Sequence, residues 1–215
     1  MRSKQPEARP IFDGCPEKPE SKKRGLVFIV SGPSGSGKTT LIKRLLRDKG
    51  YKGNLAKIVT CTTREPRGKE KDGRDYIFLS KKEFKGKKEK REFLEWQKVF
   101  GEYYGTPLAD VKKNILLGRG VILCIDVKGA KALKANKHFR FVRIFILPSQ
   151  DNWRKTLKTR LKLRLSESQE QIKKRLKLAE QEIASSKDYD YVVVNKDINE
   201  ATEELVSIVA SERKR

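Results

Sequence analysis

Five short apolar runs interrupt a chain that is otherwise dense in charge, at 26–31, 56–61, 121–126, 141–147 and 191–195. They are strand-sized and rich in β-branched residues. Most are apolar at consecutive positions, the pattern of strands covered on both faces. Between them apolar positions recur at helical spacing over about 39–48, 107–118, 150–164, 168–185 and 199–213. This alternation predicts βαβ units, an α/β fold with a parallel sheet flanked by helices. The rhythm breaks at about 62–106, where glycine, aromatic and charged residues are interleaved. That segment reads as an inserted, smaller β-rich sub-domain. No internal repeat is present.

Composition refines this picture. A chain of 215 residues holds one well-packed α/β domain with a sub-domain or two. Residues 1–24, with four prolines and few apolar positions, read as a flexible arm. The arm lacks a signal-peptide core, and its acidic residues Glu7, Asp13, Glu17 and Glu20 disfavour a transit peptide. The longest apolar stretches, such as Leu26 to Val30 and Val121 to Ile125, fall far short of the ~20 residues a membrane helix needs. A soluble, cytoplasmic protein is therefore expected. Cys15, Cys61 and Cys124 are odd in number and far apart, so reduced thiols are expected rather than disulfides or a metal site.

The net charge of +23, from 51 basic and 28 acidic residues, attracts polyanions without choosing among nucleotides, RNA, DNA and acidic membranes. It also serves solubility alone. The Lys81 to Arg91 stretch, KKEFKGKKEKR, reads as a solvated helix and turn, with RNA or another polyanion as the less favoured partner. His138, the single histidine, lies in a charged loop and reads as solvated.

The strongest chemical signal is GPSGSGKTT, comprising Gly32, Pro33, Ser34, Gly35, Ser36, Gly37, Lys38, Thr39 and Thr40. It fits G-x-x-x-x-G-K-[ST], with a β-branched strand before it and a helical pattern after it. The glycines let successive N–H groups turn inward onto phosphate oxygens, and the positive end of the following helix adds to the site. Lys38 can reach the β- and γ-phosphates, and the Thr39 hydroxyl can ligate Mg²⁺. ATP with Mg²⁺ is the expected donor. The loop alone does not identify the reaction.

Thr60 to Phe78, TCTTREPRGKEKDGRDYIF, carries Arg64, Arg67 and Tyr76. Two arginine forks and a tyrosine suit a phosphomonoester. FLEW (Phe93 to Trp96) and EYYGTP (Glu102 to Pro107) follow, and each alone would pass for surface charge or an aromatic core. Together with ILCIDVKGA and YDYVVVN these pieces resemble, in order and spacing, the guanylate kinase family from Gly25 to about Glu212.

The resemblance implies a P-loop NTPase core, an inserted GMP-binding sub-domain at about 62–106 and a helical lid at about 155–175, all within a 25–215 domain. By position it implies that Arg64, Arg67, Tyr76 and Tyr104 grip the GMP phosphate. Thr60, Glu95 and Thr106 would read guanine, whose N1–H and N2–H₂ donors suit a carboxylate. Asp126, at the end of a strand, would contact Mg²⁺ through water or the acceptor. Arg160, Arg164 and Arg175 would be lid arginines on the transferring phosphates. Asn195 would sit near the adenine of ATP, or cap the turn after the last strand, or both. The implied activity is phosphorylation of GMP, and of dGMP, by ATP.

The chain departs from the family pattern in places. Cys124 stands where an aspartate is usual, Lys128 where glutamine is, Lys196 where an acidic residue is, and Leu165 where the lid has glycine after Arg164. Thr60 replaces a serine but keeps the hydroxyl. A non-catalytic binding module is the alternative, opposed by the intact P-loop. A kinase acting on another phosphorylated acceptor is a third reading, and Glu95 and Thr106 favour guanine over it. Oligomeric state is not legible.

Overall fold

The computed structural model describes residues 25–149, 152–162 and 169–215. The N-terminal arm, Arg164 and Leu165 lie outside the described residues. β1 (Leu26–Ser31), β2 (Leu55–Lys57), β7 (Gly120–Cys124), β8 (Arg140–Leu147) and β9 (Tyr191–Val194) form a parallel sheet in the order β2-β7-β1-β8-β9. β1 and β7 are almost continuously buried because both faces are covered, whereas β2 and β8 carry Lys57, Arg140 and Arg143 and β9 exposes Val192. Phe28 and Val30 pack with residues of α1 (Lys38–Arg47) and α7 (Ile198–Lys214). Val27 and Ile29 point the other way, into a cluster with residues of α3 (Leu108–Leu116) and α4 (Val127–Ala132).

A second, mixed sheet contains β3 (Cys61–Thr62), β4 (Ile77–Phe78), β5 (Phe93–Val99) and β6 (Glu102–Pro107), in the order β4-β3-β6-β5. α2 (Lys81–Glu89) lies against it, started by a reciprocal capping box between Ser80 and Glu83. Its one buried residue, Phe84, stacks on Phe93 and Tyr103 with ring centroids 4.5 and 5.3 Å away. α5 (Trp153–Lys162) and α6 (Gln169–Ala184) pack on one another.

Two boundaries differ from the apolar pattern. The 56–61 run is not one strand: β2 ends at Lys57, while Cys61 and Thr62 belong to the other sheet. Periodicity reports that residues are buried, not which partner buries them. The 121–126 run stops at Cys124 because Asp126 turns out to cap α4, its carboxylate accepting the Gly129 amide at 2.7 Å.

Candidate functional site

The donor loop joins β1 to α1. Gly32, Gly35 and Gly37 hold φ values of 140°, 91° and 96°, a region side chains avoid. A Cβ on Gly32 would stand 2.4 Å from the Ile146 carbonyl, and one on Gly37 would stand 2.1 Å from Asn195 Nδ2. Lys38 Nζ donates to the Gly32 and Pro33 carbonyls at 2.7 and 2.9 Å, which folds the lysine over the loop. Thr39 and Thr40 are exposed in the first turn of α1, where unpaired amides favour anions. Asn195, buried at the end of β9, donates from Nδ2 to the Ser36 carbonyl at 2.7 Å. Its amide nitrogen is thus bonded to the loop, and the turn into α7 is capped instead by Asp197, whose carboxylate accepts the Asn199 and Glu200 amides.

Arg160, on α5, donates to the carbonyls of Gly35 and Asn195, both at 3.3 Å. Arg175, on α6, donates to Ser34 Oγ at 2.9 Å. Two cations from different helices thus converge on the donor loop. They share that region with a carboxylate the motif reading missed, Glu182 of α6. Burial pushes its carboxyl up to about 7, with Lys38, Asp126, Arg175 and Lys128 all within its field. Glu182 lies seven residues, two helical turns, after Arg175, so both fall on one face of the helix. That spacing was the available signal.

The acceptor-side residues gather on the second sheet. Arg64 Nη1 and Nη2 donate to the two Glu70 oxygens at 2.7 and 2.8 Å. The Arg64 guanidinium also stands 4.7 Å from the centre of the Tyr76 ring. Tyr76 in turn meets Tyr104 edge-on, with centroids 6.2 Å apart. Burial raises the Tyr76 hydroxyl above its ordinary range, keeping it a proton-bearing donor. Burial alone would raise Glu70 as well, but bonds from Arg64 and from the Arg67 amide, the latter at 2.8 Å, hold it below the usual carboxylate range. Glu70 is the second residue the motif reading left without a role. Its three-residue spacing from Arg67, itself three after Arg64, was the legible hint.

Glu95 and Thr106 face each other across β5 and β6, and Thr106 Oγ1 donates to Glu95 Oε1 at 2.6 Å. Both are buried. Loss of solvent, joined by the negative field of Asp126, pushes the Glu95 carboxyl up to about 7 against the Thr106 bonds. Burial also raises Asp126, against its bond from the Gly129 amide. Gly129 closes this seam: a Cβ there would lie 2.8 Å from Glu95 Oε2. The start of α4 therefore brings Asp126, at the rim of the parallel sheet, beside Glu95 of the other sheet. Thr60 precedes β3, and its carbonyl accepts the Ile77 amide at 3.0 Å. Cys61 and Cys124 are free thiols, and burial pushes Cys61 up to about 11.

Chemically, one wall is a cationic, amide-rich loop suited to polyphosphate. The other offers an arginine–tyrosine cluster beside a buried carboxylate–hydroxyl pair. A family model described as Guanylate kinase matches residues 24–212. The chain belongs to the guanylate kinase family. Among guanylate kinases, the protein of Maricaulis maris (strain MCS10) is 44% identical over 95% of this chain and 88% of its own length. That of Caldanaerobacter subterraneus subsp. tengcongensis is 43% identical over 90% of this chain and 91% of its own. The crystal structure of guanylate kinase from Anaplasma phagocytophilum superposes with a TM-score of 0.70 at 31% identity, covering 90% of this chain and 89% of that one. Membership in the guanylate kinase family makes the protein a nucleotide-binding phosphotransferase. No described helix is long and apolar enough to cross a membrane.

Proposed function

We propose that the protein transfers the γ-phosphoryl group of ATP to GMP, and to dGMP, by direct in-line displacement. An oxygen of the acceptor phosphate forms the new bond to the γ-phosphorus as the bond to the β,γ-bridging oxygen breaks, releasing ADP and GDP. The observation that carries this reading is the pairing of two unlike walls. The donor loop carries Lys38, with Arg160 and Arg175 bonded to it. The facing sheet carries the Arg64–Tyr76–Tyr104 cluster and the Glu95–Thr106 pair.

In this reading the parallel sheet and its helices (25–61 and 107–215) form the core, about 62–106 the acceptor lobe and about 155–175 the lid. Arg64, Arg67, Tyr76 and Tyr104 hold the acceptor phosphate. Ionised Glu95 accepts from guanine N1–H and N2–H₂, with Thr106 and Thr60 beside it. Adenine lacks that donor pair, and leaving a buried carboxylate unmatched rejects it strongly. Lys38, Arg160 and Arg175 face the charge that spreads over the transferring oxygens, and positioning plus charge accounts for the rate. Arg164 belongs to the same set by position and lies outside the described residues.

The donor set also fits Mg²⁺. Thr39 offers a hydroxyl and Asp126 a carboxylate, oxygen ligands of the hard type. Among the described residues no group of three or more His, Cys, Asp or Glu forms a metal cage, as suits an ion held chiefly by phosphate and water. Thr39 would hold it directly and Asp126 through water, and when bound it would neutralise the β- and γ-phosphate oxygens.

ADP formation measured against GMP, dGMP, AMP and UMP tests the reading. Turnover on the two guanine nucleotides, at least ~10²-fold above AMP, is expected. Near-normal turnover in Lys38→Ala, or equal rates on AMP and GMP, would refute it.

A further inference from the structure

The β5–β6 hairpin closes through two residues, Phe100 and Gly101, with φ of 50° and 87°. Successive positive φ values call for Asn-Gly or Gly-Gly, and a bulky residue there is a steric outlier. Nor does burial explain the phenylalanine, because its surface is 57% exposed. A strained backbone and an exposed ring both break local rules, and such breaches collect where function constrains the chain. The contact the ring does make is with Arg175, whose guanidinium carbon lies 5.6 Å from its centroid. That is within the range of a cation–π interaction. The same guanidinium donates to Ser34 Oγ in the donor loop.

Arg175 therefore touches the phosphate-binding loop at one end and the tip of the acceptor sheet at the other. We infer that Phe100 is a positioning residue for Arg175, holding that guanidinium over the donor loop. This rests on the reading above in which Arg175 serves the transferring phosphates. The ring touches no reacting atom in this account. It makes the alignment of a donor-side cation depend on the acceptor side.

A double-mutant cycle of Phe100→Asn and Arg175→Ala tests the inference. Asparagine tolerates the left-handed conformation, so Phe100→Asn should fold with a Tm equal to or above that of the parent. Its kcat should nonetheless fall about three- to tenfold, with KM for GMP within twofold. In the Arg175→Ala background, itself about a hundredfold slower, the same change should have no further effect. Phe100→Trp, which keeps a ring, should retain parental kcat. Unchanged kcat in Phe100→Asn overturns the inference. So does an equal loss in both backgrounds, or a loss in Phe100→Trp as large as in Phe100→Asn. Parental kcat in Arg175→Ala would instead remove the reading on which the inference stands.

Discussion

The Asn195 side-chain amide donates 2.7 Å to the Ser36 carbonyl, fastening the end of the last core strand to the donor loop. A loop whose amides turn inward sends carbonyls outward, and a buried carbonyl needs a partner. Asn195→Ala leaves this one unpaired, at a cost of about 1–3 kcal/mol. The expected result is a kcat/KM for the donor lowered about 10- to 100-fold. The loss should be alike for ATP and ITP, because the loop and not the base is disturbed. Steady-state kinetics with both donors checks this, and a loss confined to ATP would assign Asn195 to adenine instead.

Glu95 sets a pH dependence. In the proposed reading its carboxyl, pushed up to about 7 chiefly by burial, must be ionised to accept two guanine donors. KM for GMP should rise about tenfold between pH 8 and pH 6 as the free enzyme takes up a proton. KM for ATP should stay flat. The linked stability runs the opposite way. A raised folded-state value favours folding below the ordinary glutamate range, and that contribution is lost as pH rises through about 7. Glu95→Gln, which avoids the buried charge, should therefore raise Tm at pH 8 by a few degrees while cutting kcat/KM for GMP at least ~10²-fold.

Gly129→Ala separates helix propensity from site geometry. Alanine favours a helix over glycine by about 1 kcal/mol. Here its Cβ would press on Glu95 Oε2 from 2.8 Å. We expect an unchanged or slightly higher Tm, about a tenfold rise in KM for GMP, and little change in KM for ATP. A parental KM for GMP would show that Glu95 moves aside at no cost.

Glu70 holds both nitrogens at the end of the Arg64 fork. If this carboxylate orients the fork, Glu70→Ala should raise KM for GMP about tenfold and leave kcat within a fewfold. A lowered KM would mean that Glu70 competes with the acceptor phosphate, reversing its assigned role.

The core strands were legible because a strand buried on both faces has no polar side to confuse the pattern. Val27 and Ile29 serve one cluster while Phe28 and Val30 serve the other. The donor loop was legible because its chemistry demands glycine, lysine and a hydroxyl at fixed offsets. Partners of those residues were not. Nothing local to Asn195 announces a bond to Ser36, 159 positions away. Glu182 sits among helix charges that look solvated until α6 is laid beside the loop. The seam between Gly129 and Glu95 likewise arises only when two sheets meet.

The chain enters the second sheet at Cys61 and leaves it at Pro107, and Cys61 pairs directly with Gly105 of the exit strand. Way in and way out are thus neighbours, and the excursion between them is one uninterrupted stretch. From Thr60 to Pro107 it carries the whole proposed acceptor set except Asp126. In the proposed reading, exchanging that one continuous stretch would change the acceptor pocket and, through Phe100, the seat of Arg175 at the donor loop as well.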